Sequence, residues 1–144
     1  MPNRLIESLI WDQKVVTVEK TRTVADTARL MRQRKIGAIM VVADGRLSGI
    51  FTERDALFRV LAQGRDPQAT ALAEVMTPDP ETIAPDKPFA HALHMMYEGG
   101  FRHVPVVEDG VPVGIVSSRD VLGPELVDFA SDLQRREHIA EILG

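Results

Sequence analysis

The chain contains no cysteine among its 144 residues. Disulfide staples, thiolate nucleophiles and Cys-ligated zinc are therefore excluded, and a reducing compartment is allowed. Positive charge is not in surplus either. A formal net charge of −4 gives no footprint for nucleic acid or an anionic membrane, because backbone phosphates are bound by Lys and Arg clustered on one face. No apolar run approaches the roughly 18 residues of a membrane span, and the opening stretch MPNRLIESLIWDQ is broken by Arg4, Glu7 and Asp12. The expected location is the cytoplasm. Signatures of catalysis are missing as well: Gly114-Ile-Val-Ser117-Ser is not Gly-x-Ser-x-Gly, and no Walker phosphate loop occurs. The expectation is a protein that is not an enzyme and carries no cofactor.

What the chain does have is a repeat. With 44% hydrophobic residues it is large enough for one compact core, or for two small units sharing one. Shifted against itself by 65 residues, the distance from Asp55 to Asp120, it matches without a gap. Thr17 falls on Thr82, Ala25 on Ala90, Met31 on Met96, Asp44-Gly45 on Asp109-Gly110, and Gly49-Ile50 on Gly114-Ile115. Two seven-residue stretches close the match, GIFTERD (Gly49 to Asp55) and GIVSSRD (Gly114 to Asp120), with Ser117 standing for Thr52. In each, a hydroxyl three residues before a carboxylate has the spacing of a helix capping box.

Each copy reads as β-α-β-β-α, an α+β arrangement. In the first, Val15 to Val18 form a short β-branched strand, and Thr23 with Asp26 has capping spacing ahead of a helix reaching about Lys35. Ala38 to Val42 and Leu47 to Phe51 are strands joined by Asp44-Gly45, a pair that supplies the positive φ angles of a tight turn. A helix from Glu53 carries Ala56, Leu57, Val60 and Leu61 at helical spacing, with Gly64 as its stop. The second copy places its first strand at Glu81 to Ile83, Pro88 at a first helical position, and an apolar face on Ala90, Leu93, Met96 and Tyr97. Gly123-Pro124 interrupts its last helix, after which a long charged helix runs from Glu125 to Leu143. Leu126, Phe129, Ala130 and Leu133 form one stripe there, continued by Ile139, Ile142 and Leu143. Such a surface exceeds what one small domain buries and points to a homodimer. The polar segment Gln63 to Ala71 divides the chain into residues 1–71, with a short N-terminal helix, and residues 72–144, with the long C-terminal helix.

The doubled pattern of glycine, two apolar residues, Thr or Ser, two variable residues and Asp, each after a hairpin turning at Asp-Gly, resembles tandem cystathionine-β-synthase (CBS) domains, a Bateman module. FRHVPVVEDGVPVGIVSSRD, Phe101 to Asp120, is its most specific part. The first copy and the tail REHIAEILG resemble stand-alone bacterial CBS-pair proteins. The resemblance implies two repeats related by a pseudo-two-fold and a regulatory module that binds adenosine-containing molecules between them. AMP, ADP or ATP is the expected ligand, with S-adenosylmethionine or NAD(H) behind. It also implies ribose-binding roles for Asp55 and Asp120, with Thr52 and Ser117 beside them. A carboxylate accepts two charge-assisted bonds from a vicinal diol. The adenine slots carry over to Thr17, Val18 and Ile39 in one cleft and to Thr82, Ile83, Val104 and Pro105 in the other.

The copies differ where phosphate would bind. Arg102-His103 in the second copy stands against Gly37-Ala38 in the first, and Arg suits phosphate through its planar fork of donors. Which cleft receives the basic pair stays open, and the expectation is one phosphate-competent cleft and one weaker or empty. Arg54 and Arg119, beside the motif aspartates, could also reach phosphate or stand solvated at the helix start. His91, His94 and Glu98 share a helical face able to hold a divalent metal. Two histidines without a second cluster are more commonly surface residues, so no metal site is assigned, and Met31, Met95 and Met96 read as core filler. A second class of function remains beside the sensor: a ligand-free structural or interaction protein that keeps the motif only as a helix cap.

Overall fold

The computed structural model describes residues 4–143, with side chains to residue 141. A short helix, α1 (Ile6–Ile10), is followed by β1 (Thr17–Glu19), α2 (Val24–Arg34), β2 (Ala38–Ala43) and β3 (Arg46–Thr52). The chain then turns through α3 (Glu53–Asp55) into a π-helical segment, Ala56–Leu61. After β4 (Thr77–Pro78) come α4 (Phe89–Gly99), β5 (His103–Glu108), β6 (Val111–Ser117) and the long α5 (Gly123–Leu143). This is a mixed α+β fold of two tandem repeats with a short N-terminal and a long C-terminal helix. The first sheet has the order β1-β2-β3-β4, with β1 parallel to β2 and the other neighbours antiparallel. The second repeat contributes the β5-β6 hairpin.

Both hairpins turn at Asp-Gly with positive φ at each residue: 53° and 77° at Asp44 and Gly45, 51° and 80° at Asp109 and Gly110. That is the type I′ geometry matching strand twist. The Thr23 hydroxyl accepts from the Asp26 amide at 3.2 Å and caps α2. Several boundaries differ from expectation. The first strand lies at Thr17–Glu19 rather than beginning at Val15. In the second repeat the expected strand Glu81 to Ile83 contracts to one parallel bridge: Ile83 donates to the Pro105 carbonyl and accepts from the Val107 amide. Pro80 and Pro85 flank it and carry no N–H to extend the ladder. Pro88 sits one place earlier than expected, as the extended residue before α4.

The two cores exchange pieces across the division expected at 71/72. Ile6 and Ile10 of α1 are buried in the second repeat's core with Phe89, Leu93, Val104 and Val116, and α1 is tied there by Ile6 N–H to the Lys87 carbonyl at 2.8 Å. Leu72, Val75 and Met76 pack in the first core with Val18, Ile39 and Phe51. The same exchange completes the sheets. β4 pairs Pro78 with Gly49 and Thr77 with Ile50. At the matching edge of β6, the Gln13 side-chain amide makes both bonds to Ile115, donating to its carbonyl at 2.9 Å and accepting from its N–H at 2.7 Å. One side chain stands where the first repeat uses a strand.

The motif glycines answer this close approach. A Cβ on Gly49 would lie 2.5 Å from Met76 Sδ and 2.8 Å from the Thr77 carbonyl oxygen; one on Gly114 would lie 2.8 Å from Ile10 side-chain carbons.

Helix faces also differ from a simple 3.6-residue reading. Val60 is buried, but Leu57, Phe58 and Leu61 are 50%, 56% and 73% exposed. Residues 56–61 form i to i+5 bonds, as from Ala62 N–H to the Leu57 carbonyl, and the wider turn takes the four apolar positions off one face. On α4 Leu93 and Met96 are buried whereas Tyr97 is exposed. α5 lies on α4 through Phe129, whose ring is 4.8 Å from that of His94 and 5.9 Å from that of Tyr97, and through Arg136 to Glu98 at 3.2 Å. Leu126 and Ala130 of the expected stripe are exposed, and the side chains of Ile142 and Leu143 lie outside the described residues. Arg4 clasps the start of α5, donating to both Glu125 oxygens (2.6 and 3.0 Å) and to the Asp120 carbonyl (2.6 Å).

Gly49→Ala is expected to cost about 1–3 kcal/mol in urea unfolding, since the added methyl meets the Thr77 carbonyl as well as the Met76 side chain, and the backbone cannot step aside even where the methionine can. Gly123→Ala, with nothing within 4 Å of the new Cβ, is the control and should be close to neutral.

Candidate functional site

Both motifs occupy the exit of a strand. Thr52 ends β3 in extended geometry, and its hydroxyl accepts from the Asp55 amide at 3.1 Å while Asp55 Oδ2 accepts from the Thr52 amide at 3.0 Å. These reciprocal bonds satisfy donors that a new helix leaves orphaned. In the second copy Asp120 Oδ2 accepts from the Ser117 amide at 2.8 Å, but the Ser117 hydroxyl accepts from Arg119 rather than Asp120, because the turn there is a 3₁₀ one. Each turn is also tied to the residue before the second strand of its own repeat: Glu53 donates to the Gly37 carbonyl and Ser118 to the Arg102 carbonyl, both at 3.0 Å.

A cavity of about 770 Å³ opens between the repeats, lined by Thr52, Glu53, Arg54 and Asp55 of the first and by Phe101, Arg102 and His103 of the second. Phe58, Arg59, Asp79, Pro80 and Glu81 complete much of its wall. The basic pair Arg102-His103 thus shares a cavity with Asp55 and Thr52. Asp55 is buried, at 8% exposure, and its Oδ1 lies 3.6 Å from Arg59 Nε.

The remaining candidates are placed elsewhere. Thr17 and Val18 line a smaller hollow of about 370 Å³ at the edge of β1, with Glu19, Thr21, Arg22 and Val42. Ile39, Ile83, Val104 and Pro105 are enclosed in the cores. Thr82 is exposed and lines neither cavity, and neither do Ser117, Arg119 and Asp120. Among the described residues no group of three or more His, Asp or Glu side chains could hold a metal ion; His94 packs on Phe129 with Nε2 3.6 Å from Asp132. No helix among them is long and apolar enough to cross a membrane.

Of the wall residues outside the repeat motifs and the basic pair, Arg59 carries a signal in the sequence, since it stands four residues after Asp55, the helical spacing that brings a guanidinium to a carboxylate. Asp79 and Glu81 carry none.

Two segments, residues 10–62 and 72–123, match the CBS domain family. The chain belongs to that family, as a tandem CBS pair. It is 38% identical over 108 residues to the CBS domain-containing protein YhcV of Bacillus subtilis, covering 75% of this chain and 76% of YhcV. It is 40% identical over 106 residues to CBSCBSPB1 of Arabidopsis thaliana, covering 73% of this chain but spanning only 20% of that relative. Of the mitochondrial CBSX3 from the same plant it spans 57%. Among solved structures, the CBS domain pair of MJ0100 in complex with 5′-methylthioadenosine and S-adenosyl-L-methionine superposes with a TM-score of 0.75 at 28% identity, over 83% of this chain and 93% of that one.

One titratable group of the CBS cleft is displaced from its ordinary range. Burial pushes the His103 imidazole below 6.5; Glu53 and Asp120 pull it up, and Arg102 and Arg119 push it further down. The folded protein therefore resists a proton that the unfolded chain accepts near pH 6.5. Stability is lost as pH falls through that value toward the lowered folded pKa. His103→Gln should remove this share of the loss. Unfolding measured at about pH 7.5 and about pH 5 should show the variant gaining on the native chain at the lower pH.

Proposed function

We propose that the chain is a non-catalytic regulatory module that binds an adenosine-containing ligand between its two CBS repeats. The observation that carries this reading is the shared cavity: Asp55 and Thr52 of one repeat face Arg102 and His103 of the other across a space of about 770 Å³, within the size of small-molecule sites. Asp55 reads the ribose hydroxyls, the basic pair and Arg54 receive phosphate, and Phe58, Phe101 and Pro80 supply apolar wall for the base. The adenosine ligands of MJ0100, a CBS pair of 28% identity, support the class of ligand. An adenine nucleotide is the preferred choice, with S-adenosylmethionine and NAD(H) as alternatives. The exposed Leu57, Leu61, Leu126 and Val127 support a homodimer, through which a ligand that binds two arrangements of the repeats unequally would act on a partner.

A second reading has its own observation. The motif oxygens are already used: Asp55 Oδ2 and Asp120 Oδ2 each cap their own turn, as an interaction protein without a ligand would need.

The two separate in a thermal-shift and calorimetry panel of AMP, ADP, ATP, S-adenosylmethionine and NADH, run on the native chain, Asp55→Ala and Asp120→Ala. A ligand at a hundredfold excess over its Kd should stabilise the native chain by about 2.7 kcal/mol, and Asp55→Ala should abolish this. Loss of a cap alone costs about 0.5–2 kcal/mol without touching binding. No response to any adenosine ligand supports the interaction protein.

A further inference from the structure

The cavity wall carries four carboxylates, Glu53, Asp55, Asp79 and Glu81, against three guanidinium groups, Arg54, Arg59 and Arg102. The three are not equally free. Arg59 donates to the Met76 carbonyl at 2.9 Å and stands 3.6 Å from Asp55, so its charge is already answered. His103 adds little positive charge at neutral pH, because its burial disfavours the proton. Arg54 and Arg102 are left to receive an anion.

The carboxylates that face them are not diverted. Glu53, Asp79 and Glu81 are exposed at the mouth, and Asp79 is held in place by its backbone, with φ at 44° and its N–H donating to the Ser48 carbonyl at 3.1 Å. A sphere of about 770 Å³ is about 11 Å across, close to the Debye length of roughly 10 Å at 0.1 M salt, so the wall charges are only partly screened from the ligand's tail. Two free arginines match one phosphate, which carries about −1.5 to −2 at pH 7. Each further phosphate meets uncompensated carboxylates.

We infer that the cleft selects an adenosine-type ligand whose tail bears at most one phosphate, and that Asp79 and Glu81 turn away di- and triphosphates by charge. The inference rests on the ligand-binding reading above and narrows it. Asp79 and Glu81 are thus specificity-determining residues that neither repeat motif contains.

Calorimetric titration of adenosine, AMP, ADP and ATP into the full chain, without divalent cations and at constant ionic strength, tests it. The Kd for ATP should exceed that for AMP at least tenfold, and the ratio should shrink as salt rises. In Asp79→Asn/Glu81→Gln the ATP-to-AMP ratio should fall at least threefold; Asn tolerates the left-handed backbone at position 79, so the turn survives. ATP binding as tightly as AMP in the native chain, or a ratio unchanged in the double variant, overturns the inference and leaves the sensor reading standing. Silence from all four compounds overturns the inference, and silence from S-adenosylmethionine and NADH as well overturns the sensor reading with it.

Discussion

The tightest local demand on this chain falls at the ends of β3 and β6, where the backbone leaves an extended strand and enters a helical turn within one residue. Amide donors would be stranded there without the reciprocal bonds of Thr52 with Asp55. The same bonds aim the carboxylate. With Oδ2 held by the Thr52 amide, Oδ1 is directed to the side where Arg59 stands. The Glu53 bond to the Gly37 carbonyl then fixes the turn to the opening of β2, and the equivalent bond of Ser118 fixes Arg102 in the second repeat. Capping and cleft geometry are therefore one arrangement. A ligand would find the carboxylate already oriented.

Two turns that share a motif end in different surroundings because the chain leaves them by different routes. Beyond Asp55 it continues as a π-helical segment that carries Phe58 and Arg59 along the cavity. Beyond Asp120 it extends at Val121, and Gly123-Pro124 opens α5 in a new direction. There Arg4 is bound to both Glu125 and the Asp120 carbonyl. Arg4 raises no barrier of charge, since Glu125 answers it; the pair holds the carboxyl of Glu125 below its usual range, chiefly through their hydrogen bonds. The repeats thus share their hairpins and motif turns and part company beyond them.

Much of this was legible in the residues. Asp-Gly between two β-branched runs specifies its turn through local sterics, and Thr or Ser three residues before Asp specifies a cap through reach alone. Burial partners are another matter. Nothing in the sequence says that Ile6 and Ile10 join the second core, nor that Leu72 and Met76 join the first. Gln13 leaves no periodic trace, because one side chain replaces a strand. Leu57 and Leu61 looked core-facing on a 3.6-residue spiral, and the i to i+5 bonds move them outward. The glycine of each motif signals a close approach, and only the fold shows what approaches. For the cavity, Thr52 and Asp55 stand out in the repeat, whereas their sharing a wall with Arg102 depends on how the repeats dock, and the presence there of Asp79 and Glu81 on the segment between them.

The central claim is that the carboxylate capping the first motif also reads a ligand in the cleft that Arg102 and His103 share. A crystal structure of the full chain grown with AMP tests it most directly. The account predicts ligand density in the cavity beside Asp55, with ribose oxygens within hydrogen-bond distance of its carboxylate and the Thr52 amide still bonded to Oδ2. Density only beside Asp120, or a ligand in the cleft that leaves Asp55 untouched, would contradict it.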